Sequence, residues 1–346
     1  MKAVQVKGPK VAELVELPAP KFTESEVAID ILAVGICGTD IEIIDGNMAY
    51  YTSGQANYPI VIGHEWVGAV TALGADVSGF EVGDHVVGEV SIGCRSCPQC
   101  LSGAYHRCPN RTETGVMERD GGLAEKIVCP AWSIHKISKD ISVGAAALVE
   151  PTAIAYNGVR LAGVSPGKIV AIIGDGPIGL LLLQVSKAFA ADKVVVIGAD
   201  NERLALAATF GADAVIDSRT ENVLDLVNST LEGKLVDVVF EASGNPKGLD
   251  SAIDIASPGA IIVLQGLCGC RPPSGFDLDS IVVNDLTLRG ALGSPGIWPE
   301  VVGLIESGRV DPAKIVSHDM PMSKFEDALQ IVKSRKAVKL VLRPTQ

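Results

Sequence analysis

Between positions 169 and 190 the chain sets down three things whose order leaves few folds open. Ile169–Ile173 is an unbroken apolar run, Ile-Val-Ala-Ile-Ile, the composition of a strand buried on both faces. Gly174-Asp175-Gly176-Pro177-Ile178-Gly179 follows, and residues 179–190 are apolar enough to be a buried helix. Strand, glycine-rich turn and helix open a βαβ unit, and in that context G-x-G-x-x-G is a dinucleotide-binding fingerprint. Gly174 makes the tight turn, Gly176 lets the backbone approach a pyrophosphate, and Gly179 lets the helix pack on the sheet. Pro177 and Ile178 sit where the helix N-terminus faces the diphosphate. A plain glycine turn is the bland alternative, and the flanking strand and helix argue against it.

The rhythm continues downstream. Strands are expected at 194–197, 214–216, 236–241 and 260–264, with helices at 202–210 and 247–255. That alternation predicts an α/β domain with a doubly wound parallel sheet. After about residue 292 it fades into helices at 299–307 and 324–333 and a last strand at 337–342. Before residue 150 the texture is β-rich: 27–34 and 66–73 have strand composition, and a turn at 80–83 feeds a strand at 84–87. The chain of 346 residues is therefore divided as 1–152, a β-rich domain; 153–290, the nucleotide domain; and 291–346, a tail long enough to return to the first.

The formal net charge of −12 argues against nucleic acid and anionic membrane surfaces as partners, since both call for basic patches. The N-terminus shows no basic and apolar leader pattern, and the most apolar stretch, 169–185, is interrupted by Asp175, Pro177 and glycines. A cytoplasmic protein is expected. Its eight cysteines are Cys37, Cys94, Cys97, Cys100, Cys108, Cys129, Cys268 and Cys270. In such a setting clustered cysteines bind metal more often than they form disulfides.

Cys94, Cys97, Cys100 and Cys108 have the spacing C-x2-C-x2-C-x7-C. Two-residue spacers turn successive sulfurs onto one ion, and four thiolates make a closed, structural zinc site. The last spacing is long for a ferredoxin-type iron–sulfur run. His106 lies inside the loop, but four cysteines complete the shell, so it is expected at the surface.

A second constellation is Cys37 in Gly35-Ile36-Cys37-Gly38-Thr39-Asp40, His64 in Gly63-His64-Glu65-Trp66-Val67-Gly68, and Glu150 in Leu148-Val149-Glu150-Pro151. A thiolate, an imidazole and one or two carboxylates can hold zinc with a position left open, as catalytic sites do. Spacing alone does not separate that from core residues. The motifs in this order, with the cysteine lobe between them and the nucleotide fingerprint after them, resemble the zinc-dependent medium-chain dehydrogenase/reductase superfamily over essentially the whole chain. Glu150-Pro151, where alcohol dehydrogenases usually have cysteine, is similar to the sorbitol and threonine dehydrogenase-like, polyol-type branch.

The resemblance implies a GroES-like catalytic domain before a Rossmann domain, two zinc ions per chain, one catalytic and one structural, and NAD or NADP. It implies Cys37 and His64 as zinc ligands, with Glu65 and Glu150 competing for the remaining position, Glu65 in the resting enzyme. Thr39 would accept the substrate alcohol's proton. Many relatives place a histidine at the position of Glu42, so a carboxylate there would relay the proton, or water would bypass it. Counting against relatives puts Gly198 where an acid normally holds the adenosine ribose. Asp200 is the expected substitute, a role that can coexist with capping a helix; Arg203 is the nearby cation, and the reading leans to NAD with NADP possible. Lys339 is placed near the pyrophosphate, and Ser243-Gly244 beside the nicotinamide half.

The implied reaction is hydride transfer between NAD(P) and a secondary alcohol of a small polar substrate, a polyol, sugar or similar alcohol and its ketone, in a homo-oligomer, tetramer or dimer. Tyr50, Tyr51 and Trp66 are candidates for the pocket wall, or for packing. The rivals are a zinc-free enone or quinone reductase of the same superfamily, which would lack Cys37 and His64 in these motifs, and an inactive zinc-binding scaffold.

Overall fold

The structure is a computed structural model and describes residues 1–219, 222–267 and 277–344. Cys268 and Cys270 lie outside the described residues. The chain divides into two compact units, Met1–Ala153 with Gly293–Gln346, and Ile154–Leu292.

In the second unit six strands form one all-parallel sheet in the order Ala214–Asp217, Lys193–Gly198, Ile169–Ile173, Val238–Glu241, Ile261–Leu264, Thr287–Gly290. The order reverses at Ile169–Ile173, so the glycine-rich turn that leaves this strand opens at the point where α/β sheets bind ligands. Val170, Ala171, Ile172, Val195 and Phe240 are fully excluded from water, as expected of central parallel strands covered on both faces. The helix expected at 179–190 is Pro177–Ala188: proline is tolerated in the first turn, and Ala190 has already turned to a φ of +60°. The strand expected from 236 starts at Val238; just before it the Asp237 carboxylate accepts from the Ile169 amide at 2.8 Å and from Lys168 at 2.9 Å.

The first unit carries a seven-stranded sheet in the order Ile134–Lys136, His85–Gly88, Glu65–Leu73, Glu26–Gly35, Lys339–Arg343, Val316–Pro321, with Lys126–Pro130 also pairing with Glu26–Gly35. The C-terminal strand therefore lies directly beside Glu26–Gly35, with Val341 opposite Gly35 and Leu342 opposite Val34. On the other edge Gly35 pairs with Glu65 and Val34 with Trp66. This register brings the chain just before Cys37, the Glu65 strand and the Lys339 strand together. Behind them lies a core of Ile29, Ile31, Ile43, Ile62, Leu123 and Trp66, all nearly or wholly buried. Each such side chain contributes roughly 1.5–3 kcal/mol on burial.

Candidate active site

Cys37 stands at the N-cap of the Gly38–Asp45 helix, directly after the strand that ends at Gly35. The turn is fixed by Asp40. Its carboxylate, fully buried, accepts from the Cys37 amide at 2.8 Å and from the Gly63 amide at 3.1 Å, and Oδ1 lies 3.6 Å from His64 Nδ1. One carboxylate thus ties the two loops that carry Cys37 and His64. Sequence reasoning passed over Asp40; the signal was an acid three residues after a helix N-cap, where it can reach back to the cap amide.

Glu65 follows His64 on the neighbouring strand. Gly35 makes room for it: a Cβ at 35 would fall 2.2 Å from Glu65 Oε2. The donor atoms of Cys37, His64 and Glu65 lie within 4.8 Å of one another. His64 and Glu65 are buried, and His64 Nδ1 and Glu65 Oε2 have no hydrogen-bond partner among the described residues. Burial opposes a charge on the imidazole, but Asp40 and Cys37 outweigh it and hold its pKa well above the ordinary value. A cluster of thiol, imidazole and carboxylate donors whose surroundings favour positive charge is suited to a dication.

Lys339 joins this group through an ion pair. Expected at the diphosphate, it is buried and donates through Nζ to Glu65 Oε1 at 2.5 Å. The strand register explains this, since Lys339 and Glu65 sit on the two strands that flank Gly35. Burial disfavours the ammonium, but Glu65, then Cys37 and Asp40, raise its pKa above the usual lysine value. Glu150, in the first turn of the Val149–Ala162 helix, is buried in the same electrostatic neighbourhood. Desolvation pushes it up to about 7, with Glu65 and Asp40 adding to the rise and His64 and Lys339 opposing it. It is not part of the tight donor triad. Thr39 and Glu42 are half-buried, three residues apart on the Gly38–Asp45 helix, and so share a face.

The four-cysteine lobe has the dimensions of a thiolate tetrahedron. Cys94 and Cys100 sulfurs lie 3.9 Å apart, and those of Cys97 and Cys108 3.7 Å apart. Zinc–sulfur bonds of about 2.3 Å give tetrahedron edges of about 3.8 Å. Without a cation the sulfurs do not ionise alike: hydrogen bonds from Ser96 and its amide lower Cys94 to about 5, while desolvation raises Cys100 to about 12. His106, expected at the surface, is buried in this lobe, where a Cβ on Gly293 would lie 3.2 Å from its own Cβ. Desolvation, then Arg107 and Arg111, lower its pKa.

Of the candidate pocket aromatics, Trp66 is a core residue, 1% exposed, with Gly88 packed against its ring. Tyr50 accepts from Arg111 at 3.0 Å, and Tyr51 donates to the Val116 carbonyl at 3.0 Å.

In the second unit the fingerprint takes the shape its glycines permit. Gly174 has φ +123°, and a Cβ at Gly179 would lie 1.9 Å from the Gly174 carbonyl oxygen. Gly176, the N-cap of the Pro177–Ala188 helix, has nothing within 4 Å of a Cβ position, so the approach to the turn is open. This cradle fits a dinucleotide diphosphate. Asp200 caps the next helix, its Oδ1 accepting from the amides of Glu202 at 3.0 Å and Arg203 at 3.1 Å. Ser243 is tied through its amide to Glu241 at 2.9 Å.

Known families match both halves of this arrangement. Residues 23–139 match the family described as "Alcohol dehydrogenase GroES-like domain", and residues 177–307 match "Zinc-binding dehydrogenase". The L-threonine 3-dehydrogenase of Pyrococcus horikoshii is 38% identical over 333 residues, 95% of this chain and 94% of that one. This chain belongs to the zinc-dependent medium-chain dehydrogenase/reductase superfamily. Two solved structures are similar over 99% of both chains. One is a zinc-binding dehydrogenase of Sinorhizobium meliloti bound to NADP, with TM-score 0.92 and 26% identity. The other is an alcohol dehydrogenase of Escherichia coli CFT073 in complex with NADH, with TM-score 0.90 and 28% identity. Like its relatives, this superfamily member is a zinc-containing, nicotinamide-dependent dehydrogenase acting on CH–OH donors. No helix among the described residues is long and apolar enough to cross a membrane.

Proposed function

We propose that this dehydrogenase oxidises a secondary alcohol on a small polar substrate, such as a polyol, a sugar or a hydroxy amino acid, or reduces the matching ketone. The observation that carries this is the cluster of half-buried Cys37 with buried His64 and Glu65, in which His64 Nδ1 and Glu65 Oε2 have no hydrogen-bond partner among the described residues. An orphaned buried polar atom costs about 1–3 kcal/mol, so a protein keeps such atoms where a ligand satisfies them.

Cys37, His64 and Glu65 would hold the catalytic zinc, and Cys94, Cys97, Cys100 and Cys108 the structural one. When bound, zinc supplies a Lewis acid that makes a hydroxyl easier to ionise, and the nicotinamide supplies the hydride acceptor. Asp40 holds the Cys37 and His64 loops in register. Lys339 balances the charge of Glu65. Thr39 takes the proton of the substrate hydroxyl and passes it along its helix face to Glu42. Glu150, buried beside these groups and held above the ordinary carboxylate range by desolvation, is a second group suited to exchange a proton. A vicinal hydroxyl or an amino group beside the reacting carbon suits this anionic setting.

The test is turnover of sorbitol, other polyols, L-threonine, 2,3-butanediol and simple primary alcohols, with NAD and NADP side by side. Turnover of the polyfunctional secondary alcohols is expected; turnover of primary alcohols alone would reject the proposal. The chain is proposed to be a homo-oligomer, tetramer or dimer, which light scattering will read directly.

A further inference from the structure

In dinucleotide-binding βαβ units, an acid at the end of the second strand accepts from the adenosine ribose hydroxyls. Its charge also disfavours the 2′-phosphate of NADP. In this chain that strand is Lys193–Gly198, and it ends in glycine. The glycine is not an empty position. A Cβ on residue 198 would lie 2.3 Å from Asp175 Oδ2, 2.5 Å from its Cβ and 2.6 Å from its Cγ. The side chain of Asp175, the second residue of the fingerprint, already fills the space in which an acid at 198 would begin.

Asp175 is held there. Its Oδ2 accepts from the Ala199 amide at 2.7 Å and from the Asp200 amide at 2.8 Å. No hydrogen bond to Oδ1 forms among the described residues. The neighbouring charged groups have other work. Asp200 Oδ1 caps a helix through the amides of Glu202 and Arg203. Asp217 grips Arg219 through both carboxylate oxygens, and Arg219 also donates to Asn201 at 2.8 Å. Arg219, which with Arg203 is a cation a 2′-phosphate could seek, is thus engaged by Asp217.

We propose that Asp175 selects NAD over NADP, with its carboxylate delivered from the first strand's turn in place of an acid at the end of the second. This rests on the reading of the protein as a nicotinamide-dependent dehydrogenase. The carboxylate accepts a hydrogen bond from the adenosine ribose and repels a phosphate on its 2′-oxygen. Gly198 is the matching half of the arrangement, because any side chain there would displace Asp175.

The test is fluorescence titration of the full-length protein with NADH and with NADPH, which reads binding without turnover. Wild type is expected to bind NADH at least about tenfold more tightly, the scale of one charge-assisted hydrogen bond. Asp175→Ser is expected to bring the two affinities to within about threefold, by weaker NADH and stronger NADPH binding. The double variant Asp175→Ala/Gly198→Asp is expected to regain the NADH preference, since it returns the acid to the second strand. That regain also shows that the loop still folds. Asp200→Ser, which keeps a helix cap, is expected to leave the preference intact. An unchanged preference in Asp175→Ser, or its loss in Asp200→Ser, would overturn the assignment while the dehydrogenase reading stands. A wild type that binds neither dinucleotide would overturn both.

Discussion

At the scale of single residues the thiols show how differently one side chain behaves in different surroundings. Cys129 is buried on the Lys126–Pro130 strand, and desolvation pushes its pKa up to about 12. Cys94 is exposed and hydrogen-bonded, and sits at about 5 without metal. Only the thiolate is a nucleophile. Metal-stripped protein treated with iodoacetamide is therefore expected to be alkylated at Cys94 at a rate that hardly changes between about pH 7 and 9, because that sulfur is ionised throughout. Cys129 is expected to stay unmodified over the same range and to react only once the chain unfolds. Zinc added before the reagent is expected to protect Cys94. Peptide mass spectrometry reads all three results, and early labelling of Cys129 would show that its strand is not the closed core described here.

At the scale of elements, the first unit is held in part by side chains that tie the cysteine lobe to the seven-stranded sheet and to the tail. Tyr105, in the turn between Cys100 and Cys108, donates to Glu89 and accepts from the Gly296 amide at 2.8 Å. Glu89 also faces His135 Nε2 at 2.9 Å, and the His135 ring stacks on Trp298 with centroids 5.5 Å apart. Tyr105→Phe leaves both a buried carboxylate oxygen and an amide short of a partner, at a cost of about 1–3 kcal/mol. The zinc-loaded variant is expected to melt several degrees lower with its zinc content unchanged; an unchanged melting temperature would mean that water replaces the hydroxyl freely. None of this network was legible in the sequence, because its members are spread from position 89 to 298. The nucleotide half was legible, since Ile169–Ile173 and its glycine turn signal through local composition. Helices such as Gly38–Asp45 and Val149–Ala162 were missed, as they open on glycine, threonine or proline and are stabilised by what they pack against. The site showed the same division. Cys37, His64 and Glu65 could be named from motifs, whereas Asp40 as their brace, Lys339 as the partner of Glu65 and Asp175 in the space above Gly198 depend on contacts across strands.

At the scale of the whole molecule, the chemistry is divided along the chain. Every proposed metal ligand lies in residues 1–153, and the dinucleotide fingerprint lies in residues 154–292. Each unit has its own core, so a lesion at one site should leave the other intact when no packing is lost. Cys37→Ala is the sharpest case. It removes one sulfur from the N-cap of a short helix and leaves the Asp40 bonds to the backbone in place. The purified variant is expected to hold one zinc per chain where the wild type holds two, to keep a cooperative melt, and to bind NADH within about twofold of wild type, a difference smaller than one hydrogen bond. It is expected to lose turnover of every alcohol the wild type accepts. Elemental analysis and cofactor titration on the same sample separate the possibilities. Two zincs with full activity would remove Cys37 from the catalytic site, and loss of NADH binding alongside the metal would show that the two halves of the reaction are not independently built.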